Sequence, residues 1–374
     1  MDTSKSNVIV ETLKGEILSG KYSSNRLFPS ERALAVRFKS SRPTVRQAVQ
    51  TLRDEGLIRS QRGSGTFVTK SAMSRKIGLM LSGITYSEYF QPIATSFMQL
   101  AREQSYTLCF EAVRSPNPEE RIHEAREIAA EFIHEQVAGV IYHPLDYAFD
   151  SGAANREILK AFRRARIPVV LFDSDIEVAP RHSDYDLVSI DNIMAGEMVA
   201  RHLLESGAEN IHFLLKPNWI PNAKNRIRGV MCAVGAAGRH WSPANVLISE
   251  PDDVDAIRRH FRRRPRPDAF ICENDQLAAI FKKSLEKIGL NVPRDVLLAG
   301  FDDVNVARLL TPPLTSIHQP CDQIAAAAFS RLLARIAEPS LPPQEIFVHA
   351  PLVVRASTTR TGAQRNIVEK GALK

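Results

Sequence analysis

Apolar positions recur with helical spacing three times before residue 55. Ile9, Leu13 and Ile17 stand at i, i+4 and i+8 ahead of Gly20, which predicts a helix over Val8 to Gly20. Ser30 has N-cap chemistry and precedes Leu34, Ala35 and Phe38, so a short second helix should follow it. Pro43 suits the first turn of a third helix, whose Val45, Val49 and Leu52 face a core and which runs to about Glu55. Arg42, Thr44, Arg46 and Gln47 then lie near the N-terminal end of its polar side, the end that can enter a major groove. After Gly56 the period changes to two. Leu57–Ser60 alternates, Arg62-Gly63-Ser64-Gly65 turns, and Thr66–Val68 returns. Three helices and a hairpin make a winged helix-turn-helix.

From Lys76 onward the pattern is different. Short, nearly continuous apolar runs (77–81, 106–113, 137–142, 169–172, 187–190, 211–215, 245–248, 269–272, 296–300 and 314–317) alternate with helical stretches at 93–104, 119–134, 155–165, 194–206, 225–238, 254–263 and 276–289. Strands apolar on both faces imply parallel sheets covered by helices, hence an α/β fold. Ten such runs exceed one small sheet and predict two lobes, with a ligand beyond the carboxyl ends of the strands. The expected domains are a DNA-binding module over 1–70, a polar linker over 71–75, an effector domain over 76–360 and a polar tail over 361–374.

The charge distribution sharpens this division. Of the formal net charge of +7, all is carried by residues 1–70, which hold 13 Lys/Arg against 6 Asp/Glu; the rest holds 36 of each. A basic module joined to a neutral one fits attraction of the first to phosphates, and no lipid-anchor pattern favours a membrane surface instead. The four cysteines, Cys109, Cys232, Cys272 and Cys321, have neither zinc nor disulfide spacing. With no apolar run near the ~20 residues that span a bilayer and a polar beginning, the expected location is the cytoplasm.

Pro29-Ser-Glu-Arg-Ala-Leu-Ala, Ser41-Arg-Pro-Thr-Val-Arg-Gln-Ala, Leu52 with Gly56-Leu-Ile and the basic Gly-containing turn resemble the gluconate-repressor-like (GntR) transcription factors. Tyr22–Leu27 replaces the Pro-Gly turn usual there. The resemblance implies DNA contacts by Arg32, Ser41, Arg42, Thr44, Arg46, Arg62 and Gly63. Arg32, on the helix that crosses the backbone, suits phosphate rather than base. A second resemblance covers roughly Lys76 to Arg355. Lys76-Ile-Gly-Leu-Met, Ile167–Asp173, Val188–Asn192 with Gly196, Arg226-x-x-Gly229, Cys272–Ala278, Gly300–Asp303 and Leu314–Pro320 stand in the order of the sugar-binding domain of lactose-repressor-like (LacI) and periplasmic binding proteins. It implies a ligand site made by Asp173, Asn192, Trp219, Arg226, Asn274, Asp302 and Gln319. Vicinal hydroxyls both donate and accept, and carboxylates, amides and one guanidinium answer both needs. Asn274 has equal claim as a helix cap; ligand contact is preferred for Asp302 over a turn role, and ordinary packing is preferred for each of Tyr86, Tyr89, Phe90 and Trp219, of which Trp219 is the best ligand candidate.

Together these predict a sequence-specific transcriptional regulator, a repressor by analogy, that binds a two-fold operator as a homodimer and responds to a monosaccharide; arabinose, xylose and rhamnose all stay open. No metal or cofactor is expected, since Asp302-Asp303 has no His or acid partners at ligand spacing. The rival is a fusion to a pyridoxal-phosphate enzyme, which needs a Schiff-base lysine motif that the sequence does not offer. An all-helical or small mixed effector domain is disfavoured by the strand-rich pattern.

Overall fold

Ser30 accepts a hydrogen bond from Ala33 N and Ser41 one from Thr44 N, and these two caps set the register of the helices that follow them. In the computed structural model of the chain, the described residues are 3–18, 22, 28–61, 65–69, 76–82, 88–115, 117–145, 151–177, 180–217 and 221–360. The N-terminal unit holds α1 (Thr3–Leu18), α2 (Glu31–Arg37), α3 (Arg42–Asp54), β1 (Ile58–Gln61) and β2 (Gly65–Val68). The two strands pair antiparallel, Ile58 opposite Val68. Ile9, Leu13, Ile17, Leu34, Val45, Val49 and Leu52 close its core, as their spacing predicts. Gly56, at φ +74, reverses the chain after α3. The turn residues Arg62 and Gly63, the linker 71–75 and the tail 361–374 lie outside the described residues.

Each of the ten apolar runs forms a strand. β3 (Lys76–Ser82), α4 (Phe90–Glu103), β4 (Thr107–Val113), α5 (Pro118–His134), β5 (Gly139–Tyr142), α6 (Ser151–Arg164), β6 (Val169–Phe172) and β7 (Asp186–Ile190) build the first lobe. α7 (Asn192–Glu205) leads across to β8 (Ile211–Leu215), α8 (Pro221–Ala236), β9 (Val246–Ile248), α9 (Val254–Phe261), β10 (Ala269–Cys272), α10 (Asp275–Lys287), β11 (Leu297–Asp302), α11 (Asn305–Leu309) and β12 (Thr315–His318). The chain then returns through α12 (Cys321–Ala337) to β13 (Glu345–Val348) and crosses once more to β14 (Leu352–Val353). The first sheet has the order β13-β7-β6-β5-β3-β4, the second β14-β12-β11-β10-β8-β9. Every pairing in them is parallel except that of β14 with β12.

Two glycines fix the crossing of α7 with α8. A Cβ on Gly196 of α7 would stand 2.0 Å from Arg226 O, and one on Gly229 of α8 would stand 1.9 Å from Ile193 O. The two helices therefore touch backbone to backbone, which only glycine permits. Among the described residues no helix is long and apolar enough to cross a membrane.

Inside the second lobe, His260 Nε2 lies 2.8 Å from His212 Nδ1, and both rings pack on Phe270. Burial pushes both imidazoles down to about 4, helped at His212 by His260 and Arg263, and at His260 by Arg263. The unfolded chain takes up these protons near pH ~6.5, so it binds more protons than the folded one between that pH and about 4. Stability is thus fully present above pH ~6.5 and declines as pH falls, by up to ~1.4 kcal/mol per pH unit for each imidazole. The thermal midpoint measured from pH 7.5 to 5 should drop more steeply in the parent than in a His212→Phe/His260→Phe double variant; equal slopes would remove the pair from the account.

Candidate functional site

The N-terminal end of α3 is open to solvent. Arg32 on α2 and Arg42 and Arg46 on α3 are exposed, while Val45, Ala48, Val49 and Leu52 on the opposite side of α3 are buried. Ser41 is the N-cap, and its Oγ lies 2.7 Å from Thr44 Oγ1. Arg46 Nε donates to Glu31 Oε2 at 3.2 Å, which ties the two helices across their exposed side. Five of the seven sequence-derived DNA residues thus share one exposed end, and the other two lie outside the described residues.

In the effector domain, the residues that follow strands converge from both lobes. Asp173 follows β6 and sits at φ +68; Asp302 ends β11 at φ +101. Left-handed backbone at two non-glycine residues aimed at one cleft is strain of the kind that accumulates at binding sites. Asn222 Nδ2 donates to Asp173 Oδ2 at 2.9 Å, and His143 Nε2 lies 3.4 Å from the same oxygen. On the other wall Gln319 Nε2 donates to Asp302 Oδ1 at 2.7 Å. Gln319 is buried, and its Oε1 has no hydrogen-bond partner among the described residues. An orphaned buried acceptor costs on the order of 1–3 kcal/mol, which a donating ligand would recover.

Arg226 stands between these walls and is 1% exposed. Its Nε donates to Asn192 Oδ1 at 2.8 Å, its Nη1 donates to Glu273 O at 2.5 Å, and its guanidinium lies 4.2 Å above the Phe301 ring. The field of the cleft records how near these groups are. Desolvation raises the Asp302 carboxyl, Arg226 and Gln319 draw it down, and Asp173 raises it again. Burial followed by Asp173, Cys321 and Asp302 pushes the Tyr89 phenol well up, against Arg226.

Of the sequence-derived ligand residues, Asp173, Asn192, Arg226, Asp302 and Gln319 form this constellation, and Trp219 and Tyr86 lie outside the described residues. Asn192 is engaged in positioning Arg226. Asn274 caps α10 by accepting from Leu277 N at 2.9 Å, while its neighbour Glu273 turns a carbonyl to Arg226. Tyr89 and Phe90 are both buried, and the Phe90 ring lies 4.9 Å from that of His143. His143 and Asn222 were missed from the sequence. His143 stands immediately after β5, where the rule of strand carboxyl ends points; Asn222 has no comparable signal. Asp303, next to Asp302, turns the other way and pairs with Arg355 and with Arg308 at 3.4 Å. A cavity of about 950 Å³ lies elsewhere, between the winged helix and the first lobe.

Residues 5–68 match the model of bacterial regulatory proteins of the gntR family, and residues 200–358 match the periplasmic binding protein-like domain. The chain is 29% identical over 358 residues to the arabinose metabolism transcriptional repressor of Geobacillus stearothermophilus, covering 91% of this chain and 94% of that one. It is 30% identical over 290 residues to the HTH-type transcriptional repressor PurR of Klebsiella pneumoniae, covering 76% and 80% respectively. Among solved structures, a putative LacI-family regulator from Sanguibacter keddieii superposes with a TM-score of 0.61 at 26% identity, over 78% of this chain and 99% of that one. A LacI-family regulator from Enterococcus faecium with bound ribose shares the fold at a TM-score of 0.62 and 20% identity, over 76% and 99%.

Proposed function

This chain belongs to the bacterial transcriptional repressors that carry a periplasmic-binding-protein-like effector domain, here joined to a gntR-type winged helix, and we propose that it releases its operator when a neutral monosaccharide enters the cleft between the lobes. The observation that carries the sugar is the pairing of Asp173 from one lobe with Arg226, Asp302 and Gln319 from the other, the last of which keeps an unused buried acceptor. A polyol satisfies that set because each hydroxyl donates and accepts. Two carboxylates against one guanidinium disfavour a phosphorylated or otherwise anionic ligand. Arabinose is the first candidate, since the arabinose repressor is similar over nearly the whole chain. Closure of the lobes around the sugar changes operator affinity only as far as the sugar binds one arrangement better than another.

In this reading Arg42, Thr44 and Arg46 face base edges or phosphates, Ser41 and Arg32 the backbone, and Arg62-Gly63 the minor-groove side through the wing. The protein acts without catalysis, as a homodimer on a two-fold site, in the cytoplasm where the operator is. Arg46→Ala is expected to weaken operator binding by about 1–3 kcal/mol and to reduce its salt dependence if the arginine holds a phosphate. Unchanged affinity and slope would exclude it from the interface. For the effector, thermal midpoints against a panel of pentoses, hexoses and their phosphates should rise with one neutral sugar and with none of the phosphates. A panel in which no neutral sugar raises the midpoint contradicts the proposal.

A further inference from the structure

α12 runs from the cleft to the cavity beside the winged helix. Its N-terminal end belongs to the ligand site. Cys321 Sγ lies 3.9 Å from Tyr89 O, and Gln319, two residues earlier, holds Asp302. Seventeen residues at 1.5 Å each carry it about 25 Å along the first lobe. At the far end Arg335, Ile336 and Pro339 line the large cavity whose opposite wall is Asp54, Glu55, Gly56, Leu57 and Val68 of the winged helix.

The helix is held along its length in a way that makes it move as a body. Gly139 of β5 lets it pack closely, since a Cβ there would meet Leu332 Cδ1 at 2.8 Å and Ile336 Cδ1 at 3.2 Å. Asp186, 1% exposed at the start of β7, accepts from Arg331 Nε at 2.8 Å, Arg335 Nε at 2.9 Å and Gln344 N at 2.9 Å. Carboxylate and both guanidinia are thereby tied to one strand, and a buried pair of this kind resists separation.

The winged helix meets this end at the turn after α3. A Cβ on Gly56 would stand 3.5 Å from Arg166 Cδ and 3.6 Å from Arg166 Nη1, so the arginine of the first lobe rests on the bare backbone of the turn. The Glu55 carboxyl is raised by burial, relieved by Lys14 at 2.9 Å, and raised again by Glu11 and by Glu338 just beyond α12. The turn therefore senses a charge at the helix's C-terminal end. α3, whose other end faces DNA, is a rigid 13-residue helix, so a tilt at Glu55–Gly56 reorients Arg42 and Arg46.

We infer that α12 is the transmission element between cleft and winged helix, acting through a docking contact that seats the Glu55–Gly56 turn against Arg166 and the helix's C-terminal end. This rests on the reading of the cleft as the sugar site. Arg166 and Asp186 are positioning residues here, since neither lies at sugar or DNA.

The test uses the full-length protein and reports three numbers for each variant: sugar affinity, operator affinity without sugar, and the ratio of operator affinities without and with saturating sugar. Arg166→Glu, at an exposed position, should leave sugar affinity within threefold of the parent and bring the ratio at least fivefold nearer to one. Asp186→Asn should do the same while the protein remains folded by circular dichroism. A merely structural role would move sugar affinity or the midpoint and leave the ratio of the folded protein alone. If Arg166→Glu binds sugar as the parent does and keeps the parental ratio, the docking contact is overturned, whatever Asp186→Asn does. If the parent itself binds no sugar, the reading of the cleft fails and the inference falls with it.

Discussion

Gly229→Ala should abolish effector binding and lower the unfolding midpoint by roughly 5–12 °C, the range for a loss of about 3 kcal/mol in a domain of this size. The added methyl stands 1.9 Å from Ile193 O and 2.5 Å from Glu197 N. Both are backbone atoms of α7, so no rotamer change relieves the overlap and the helices must part. Parting them separates Asn192 at the head of α7 from Arg226 on α8, and the 2.8 Å bond that aims the guanidinium is lost. Gly235→Ala on the same helix is the control. Its Cβ would meet nothing within 4 Å, so the substitution should be neutral or add up to ~1 kcal/mol through helix propensity. Equal, small effects of the two substitutions, measured by thermal denaturation and sugar titration, would refute the close crossing.

Arg226→Ala should weaken sugar binding by about 10- to 100-fold, the equivalent of one charge-assisted hydrogen bond of 1.5–3 kcal/mol. It should also cost about 3–5 kcal/mol of stability, because Asn192 Oδ1, Glu273 O and the Asp302 carboxyl lose a buried cation together. The two effects separate by pH. With Arg226 gone, nothing draws the Asp302 carboxyl down against its desolvation except Gln319, so its protonation shifts to higher pH. The sugar affinity of the variant should then change with pH over a range where the parent's is flat. Parental sugar affinity in folded Arg226→Ala would take this residue out of the site.

How much of this was legible in the sequence depends on the element. From Ser30 onward the winged helix was readable closely, because caps, proline and glycine punctuate it: Ser30 and Ser41 cap as their chemistry suggests, and Gly56 ends the third helix, whereas the first helix, which lacks such a signal at its head, begins at Thr3, five residues before its expected start. The strands of the two lobes were readable as apolar runs between helices. β13 and β14 were not, since Glu345–Val348 alternates exposed and half-buried positions at a sheet edge and Leu352–Val353 is only two residues long. α12 escaped for a different reason. Its Ala325–Ala328 run puts alanine on the exposed side as well as the buried one, which blurs the contrast between the exposed Asp322, Gln323 and Ser330 and the buried Ile324, Ala328 and Leu332 that period-based reading relies on. The consequence is larger than a missed helix, because the crossover that returns the chain to the first lobe runs through it.

The site divides similarly. The resemblance supplied Asp173, Asn192, Arg226, Asp302 and Gln319, and their places after strands, or for Arg226 on the helix after one, agree with it. Neither showed that Asn192 would be used on Arg226 or that Asn274 would cap α10, because those outcomes depend on the α7–α8 crossing and on which carbonyl reaches the guanidinium. Asn222 illustrates the limit most plainly. An asparagine near the start of a helix carries no sign that it will reach across to a carboxylate on the other lobe.

Control of the winged helix by the cleft is tested most directly by one titration. Operator binding is measured at fixed salt with and without a saturating concentration of the neutral sugar that raises the thermal midpoint. The sugar should weaken operator binding by at least fivefold, consistent with a coupling free energy of about 1–3 kcal/mol, and the operator should weaken sugar binding by the same factor. Superimposable operator curves, obtained while the sugar is demonstrably bound, would contradict it.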